Sequence, residues 1–414
     1  MNTLSIRKNT ISIILLTVVM LGAAFTGVVN ALNSNTKGVM KSNLSNVRAY
    51  APAPGGHNIS YAVDGGVLFA GGIEGWTEIK TPMNIIVGAV AVDPSNPQTL
   101  YMGAANEMSL YRSTDAGQQW LRIPLNTNAV GGVTDIAVDS AQRLVYAGTD
   151  NAGIFRLRYV GSSMILSGHM LLDEPVLDVA AASTGNNLTF VRTANKLYRA
   201  ENGGLSWVNV DNLGSMPTAL AITDGQPATI YVGTADRGLV KSTDGVTWTT
   251  VNAGLGLVPG ARLHVDALAA DPAQANVLYV ATSYLYGSTE VHQSPVGVAM
   301  STNSAQSWTT LYGNDKTAVA ALLPVTGETG AVYALTNQSR TPLALGKATA
   351  LVAKATNAGV TATSNVYGFD SSLLAWVVAA MAALALLFAI GQDLRSRRTP
   401  ATKPLAPGLV RNTR

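Results

Sequence analysis

The chain has 414 residues, 47% of them hydrophobic and only 12% charged. It contains no cysteine, which excludes a disulfide framework, a thiolate metal site, a cysteine nucleophile and a lipoprotein anchor. Its formal charge of +3 is unevenly spread: residues 1–48 carry five basic and no acidic groups, residues 49–346 carry 14 basic and 22 acidic, and residues 347–414 carry eight basic and two acidic. The mildly acidic middle therefore offers no basic stripe for nucleic acid.

In chain order, Arg7 and Lys8 precede an apolar run from Ile11 to Val29 and a small-residue site at Val29-Asn30-Ala31. This pattern predicts a signal peptide or an uncleaved signal anchor over residues 1–32, the run being longer than the usual ~7–15 residues. Both forms export the downstream chain. Residues 33–57 read as a linker.

The middle of the chain repeats. Six apolar runs carry an alanine in second position (Ala91, Ala137, Ala180, Ala221, Ala269 and Ala320), and each is followed by an aromatic in a second β-like run: Tyr101, Tyr146, Phe190, Tyr231, Tyr279 and Tyr333. Turn formers such as Asp93-Pro94-Ser95 and Asp271-Pro272 separate the two runs, which is hairpin punctuation. A third run in most copies leads into the most specific motif. Ser113, Asp115, Gly117 and Trp120 fill every fixed position of S-x-D-x-G-x-x-W; Ser242, Asp244, Gly245 and Trp248 form the same motif one residue shorter. Worn copies keep Asn202, Gly204 and Trp207, and Ser301, Asn303 and Trp308, the last with Ala305 where glycine is expected. Each position has a reason: the Asp or Asn accepts backbone N–H groups of its own turn, glycine supplies positive φ, and tryptophan buries a large face against the next unit. A period near 45 residues with four short strands predicts a β-propeller. No amphipathic helix interrupts residues 58–345.

The sixth copy lacks a third run after Tyr333, whereas Val67-Leu68-Phe69-Ala70 followed by Trp76 has the spacing of one. The expectation is that the N-terminal strands complete the last blade and close a six-bladed ring, with seven blades as the alternative if residues 345–366 add strands. Two insertions are the candidate partner-binding loops: Arg158 and Tyr159 in the second copy, and Tyr284, Tyr286 and His292 in the fifth. Beyond the propeller, residues 346–370 read as an Ala- and Thr-rich stalk. Residues 371–392 hold an unbroken apolar stretch close to the ~20 residues of a transmembrane helix. The tail 393–414 carries Arg395, Arg397 and Arg398, which the positive-inside rule keeps in the cytoplasm.

The motifs resemble the Asp-box (BNR) repeat propellers, a set that includes sialidases, sortilin-type receptors, xyloglucan-degrading glycosidases and the photosystem II stability and assembly factor family. The resemblance covers roughly residues 58–345. Ala91-Val92-Asp93-Pro94 with Leu100-Tyr101 ahead of Ser113-Thr114-Asp115 looks most like the assembly-factor type and related bacterial sialidase-like repeat proteins. It implies that the Asp-boxes are structural turns on the outside of the blades.

Catalytic readings find little support. Leu121-Arg122-Ile123-Pro124 resembles the sialidase x-R-I-P signature and nominates Arg122, but that signature normally precedes the first Asp-box and here comes after one. A glycosidase needs two carboxylates across a cleft; the xyloglucan-type enzymes set theirs between two propellers, and this chain has room for one. The four histidines, His57, His169, His264 and His292, lack metal-ligand spacing. No cofactor or metal is expected. The sequence points to a membrane-anchored propeller on the extracytoplasmic side of a bacterial cytoplasmic membrane. It would act as a protein-binding scaffold or assembly factor for a membrane complex, with a carbohydrate-binding or sialidase-like glycoside hydrolase as the alternative.

Overall fold

A computed structural model describes residues 40–352, apart from 42, 55–58, 126–127, 171, 173, 184–187, 288 and 314–315. The described residues belong to one compact unit, residues 38–361. The expected signal segment, transmembrane helix, basic tail and most of the stalk lie outside the described residues. Among those that are described, no helix is long and apolar enough to cross a membrane.

The chain folds into seven antiparallel sheets, the blades of a β-propeller, formed by residues 47–78, 87–124, 133–170, 178–209, 217–250, 262–313 and 319–346. Met40–Lys41 apart, each sheet is a meander in chain order, and the inner strands pack on one another in sequence, from Val47–Pro52 through Val87–Asp93 to Val319–Pro324, around the axis. Blades two to six have four strands; blade seven has three, and Met40–Lys41 adds a fifth to blade one. The six repeats read from the sequence are blades two to seven.

Six blades and a shared last blade are therefore corrected. Val67–Gly72 pairs with Ser60–Asp64, which pairs with Val47–Pro52 from the segment expected as linker, so blade one is built wholly from its own stretch of chain. Its second turn is Gly65-Gly66, both at positive φ (61° and 87°), the geometry of a two-residue hairpin. Closing that short loop costs far less entropy than joining strands from opposite ends of the ring. Blade seven has its own third strand, Leu343–Gly346, paired with Ala331–Thr336. The ring is closed by contacts across the blade one and blade seven seam. Val47 N–H donates to Arg340 O (3.1 Å), and Leu44, Val47, Phe69 and Trp76 pack with Leu323 and Leu335.

One pairing recurs throughout. In six blades an inner-strand alanine lies opposite an aromatic of the second strand: Ala51 with Tyr61, Ala91 with Tyr101, Ala137 with Tyr146, Ala180 with Phe190, Ala221 with Tyr231 and Ala269 with Tyr279. In blade seven Leu323 faces Tyr333. Directly opposite side chains share a face of the sheet, so the small alanine leaves the ring free to reach toward the next blade. There it meets the Asp-box turn. Tyr146 donates to Gly203 O (2.9 Å) and lies edge-on to Trp207 at 6.0 Å; Phe190 lies edge-on to Trp248 at 6.2 Å. A Cβ on Gly204 would sit 2.6 Å from the Tyr146 ring, and one on Gly245 would sit 2.7 Å from that of Phe190. The Asp-box glycine thus serves close approach as well as positive φ. The tryptophan packs on the preceding blade, not the following one.

Trp308 is the most buried of these anchors: it is 5% exposed, packs with Tyr231 and Ala305, and donates Nε1–H to Val251 O (2.8 Å). Trp308→Ala is expected to destabilise the propeller by roughly 3–5 kcal/mol in denaturant unfolding. Leu121→Ala, at a site 59% exposed, should change it by less than about 0.5 kcal/mol.

Candidate functional site

In a four-stranded meander the first and third turns share one end of the strands; the second turn and the link to the next blade share the other. The ring therefore has a turn face, carrying the Asp-boxes, and a loop face. On the loop face the links entering blades two, three, five and seven are bonded to the second turn of the blade they enter. Ala105 N–H donates to Ile86 O (2.7 Å), Gly132 N–H to Asp150 Oδ1 (3.0 Å), Ala235 N–H to Met216 O (2.9 Å) and Asn337 N–H to Ala318 O (3.0 Å). With their backbones held this way, the links display large apolar side chains to solvent. Met83 is 87% exposed, Val130 85%, Leu257 61% and Met216 53%, and Ile86, Leu177 and Val258 join them. Singly exposed apolar residues need no explanation, and the turn face has its own at Leu205 (64%) and Val246 (52%), but the loop-face links carry the larger number of them.

The predicted loops fall on opposite faces. Tyr284, Tyr286 and His292 belong to blade six's long hairpin, Leu278–Tyr286 with His292–Ser301, which rises on the loop face. Tyr286 is 48% exposed and stacks on His292 (5.4 Å, 28°). Tyr284 bonds Gly256 O through its hydroxyl, tying the hairpin to the link that carries Leu257 and Val258. Arg158 and Tyr159 sit at the other end of the ring, on Ile154–Val160 beside the turn Gly161-Ser162. Tyr159 takes the place of an Asp-box. Its hydroxyl meets that of Tyr101 in blade two, and its ring lies between the guanidinium groups of Arg112 (4.7 Å) and Arg143 (5.3 Å). It is a joint between blades, while Arg158 is exposed. The two loops therefore open on opposite faces of the ring.

The Asp-box residues are absorbed by their own turns. Asp115 Oδ1 accepts from Ser113 Oγ (2.7 Å) and the N–H groups of Gln118 (3.0 Å) and Gln119 (2.9 Å); Asp244 Oδ1 accepts from Ser242 Oγ (2.8 Å), Val246 N–H (2.8 Å) and Thr247 N–H (2.7 Å). These backbone donors, Gln119 and Thr247 foremost, lower both carboxyls, Asp244 well below the usual range. In the worn copy Asn303 Oδ1 accepts from Ser301 Oγ (2.9 Å) and Ser307 N–H (3.0 Å), and Ala305 adopts φ 63° despite its methyl.

Arg122 lies on the outermost strand of blade two, Leu121–Pro124, bonded to Glu107 Oε1 (3.0 Å) and Oε2 (3.2 Å). Tyr111 donates to the same Glu107 (2.6 Å), and burial, followed by that carboxylate, raises its pKa. A nucleophilic tyrosine needs the opposite shift. His169 stacks on Phe155 (4.1 Å, 3°) and His264 bonds Ala235 O (2.8 Å), both as packing groups; His57 lies outside the described residues. No group of three or more His, Asp or Glu among the described residues is placed to hold a metal ion.

The sequence reading missed a carboxyl pair near the loop-face end of the inner strands. Asp135 accepts from Ile136 N–H (2.8 Å) and from Val179 N–H of the next blade (2.7 Å), stitching blade three to blade four. Burial, then the negative charge of Asp178, pushes Asp135 up to about 7. Asp178 is itself held by Arg192 Nε at 2.5 Å. Also missed were the exposed link residues. Their signal is a large apolar residue inside a turn-forming segment, as in Pro82-Met83-Asn84, Val130-Gly131 and Ser215-Met216-Pro217.

No family model matches the chain. Among curated proteins it is similar to xyloglucanase Xgh74A of Acetivibrio thermocellus, 30% identical over 177 residues, which is 40% of this chain and 20% of that enzyme. A Paenibacillus xyloglucanase is 30% identical over 180 residues, again 40% of this chain and 16% of the relative. The match thus spans a fifth or less of these relatives' length. Among solved structures, the GH74 xyloglucanase of Xanthomonas campestris has a TM-score of 0.53 at 19% identity, covering 72% of this chain and 52% of that one. The structure of YCF48 bound to D1 peptide has a TM-score of 0.51 at 12% identity, covering 74% of this chain and 95% of that one. These likenesses support the β-propeller fold.

The carboxyls set an expected pH dependence. Asp135 has a folded-state value above the ~3.9 of an unfolded chain, so stability should rise as pH falls from about 8 to about 5. Asp115 and Asp244, held low in the fold, lose their contribution as pH falls through about 4 and below. The melting temperature is therefore expected to peak at weakly acidic pH, and Asp135→Asn should flatten the neutral limb of a Tm-versus-pH curve.

Proposed function

We propose that this chain is a protein-binding propeller anchored at a bacterial cytoplasmic membrane, which uses its extracytoplasmic loop face to hold subunits of a membrane complex. The observation that carries the reading is the apolar rim: Met83, Val130, Met216 and Leu257 stand on links whose backbones are already bonded, so they are presented rigidly and lose little entropy on docking. Chemistry for catalysis is thin by comparison. Arg122 is an outer-strand ion pair, and the Asp135–Asp178 pair is spoken for by backbone amides and Arg192.

The likeness to the structure of YCF48 bound to D1 peptide, which extends over 95% of that chain, supports the binding reading. The alternative, a xyloglucan-directed glycosidase, draws on the 30% identity to xyloglucanases over 177 residues.

Full-length protein purified in mild detergent should bring down membrane-protein subunits in fixed stoichiometry. A Val130→Glu, Met216→Glu double variant with unchanged Tm should lose them, and Leu205→Glu on the turn face should keep them. Recovery of the wild-type chain alone would sink the scaffold reading. Release of reducing sugar from xyloglucan would transfer support to the glycosidase.

A further inference from the structure

At six joints of the ring the second-strand aromatic is buried: Tyr61, Tyr101, Tyr146, Phe190, Tyr231 and Tyr279 are all 4% exposed or less. At the seventh, Tyr333 remains partly exposed. Where an Asp-box would cover it, blade one has only the short turn Ile73-Glu74 between Gly72 and Gly75. The space left is a cavity of about 520 Å³ walled by Tyr50, Trp76 and Tyr333. Tyr50 lies edge-on to Trp76 at 6.4 Å, and its hydroxyl is fixed on Ser60 Oγ (2.7 Å) and Pro324 O (2.9 Å), so the aromatic wall is held in place. The charged side chains lining the cavity, among the described residues, are Glu74 and Glu328, both exposed.

A second cavity of about 240 Å³ shares Tyr50, Trp76 and Tyr333 and continues to Leu343 and Ala344. These two residues begin the third strand of blade seven, and no fourth strand lies beyond it among the described residues, although blades two to six each have one. An aromatic box with an acidic rim attracts a cation on an alkyl stem. An unpaired sheet edge beside it accepts an extended backbone.

We propose that the seam between blades seven and one binds an extended partner polypeptide, seating one lysine or arginine side chain between Tyr50, Trp76 and Tyr333 beneath Glu74 and Glu328 while its backbone lies along Leu343–Gly346. This site is separate from the loop-face rim, and failure of either leaves the other standing.

The test uses full-length protein in detergent micelles and a blocked nonapeptide of alternating valine and threonine with a central lysine, compared by calorimetry with the same peptide carrying norleucine. The lysine peptide should bind about tenfold more tightly or better. The Glu74→Gln, Glu328→Gln double variant should erase that preference, and Leu205→Ser should preserve it. Equal affinity for the two peptides, no binding of the lysine peptide, or an undiminished preference in the double variant would overturn the proposal. Binding of n-butylammonium as tight as that of the peptide would overturn its polypeptide part, and a preference for xyloglucan oligosaccharide over both peptides would replace the cation with a sugar.

Discussion

The ring depends on one contact made over and over: an aromatic side chain, freed by the alanine opposite it, reaching across to the next blade. A single blade cannot bury both of its faces, so stability comes from neighbours. Tyr146 on the Gly203-Gly204 turn and Phe190 on Gly245 show the contact in its plain form. Tyr101 on Tyr159 shows that the partner can change chemistry while the geometry persists. The Asp-box is the receiving half of this joint. Its carboxylate rigidifies a turn, its glycine lets the aromatic come close, and its tryptophan flanks the ring.

The places where the repeat is broken divide into two kinds. In blade three a hairpin stands in place of the Asp-box, its Tyr159 flanked by Arg112 of blade two and by Arg143, and the joint stays shut. Blade one replaces its Asp-box with a two-residue turn, and the joint opens into a cavity. Sequence degeneracy alone does not separate these outcomes, because what matters is whether some other side chain fills the aromatic's place. The loop-face links lie outside the joint, and loops on a rigid scaffold are where recognition is usually carried.

Much of the architecture is legible in the sequence because the repeat is written in residue types with strong local demands. Ala91 with Tyr101, or Ser113 through Trp120, leaves few other readings. The first blade escapes such a reading when its third strand is taken as the signal: Ala51 and Tyr61 keep the same ten-residue offset as Ala91 and Tyr101, and Gly65-Gly66 marks the hairpin between Tyr61 and Phe69. The loops are half legible. Composition singles out Tyr159 and Tyr286 alike, but whether an aromatic is a joint or a tip depends on which end of a strand it occupies. The Asp135–Asp178 pair is hidden for another reason: the two residues are 43 apart in the chain and meet only because adjacent inner strands pack in register.

The two-glycine turn of blade one has a consequence for how the molecule is made. Because that turn lets blade one finish within its own stretch of chain, no blade has to wait for a strand from the far end. A ring closed by strand exchange would keep an unpaired edge open throughout synthesis, a template for aggregation. Here each sheet can be complete as it emerges from the ribosome, and the last step is the meeting of two finished surfaces.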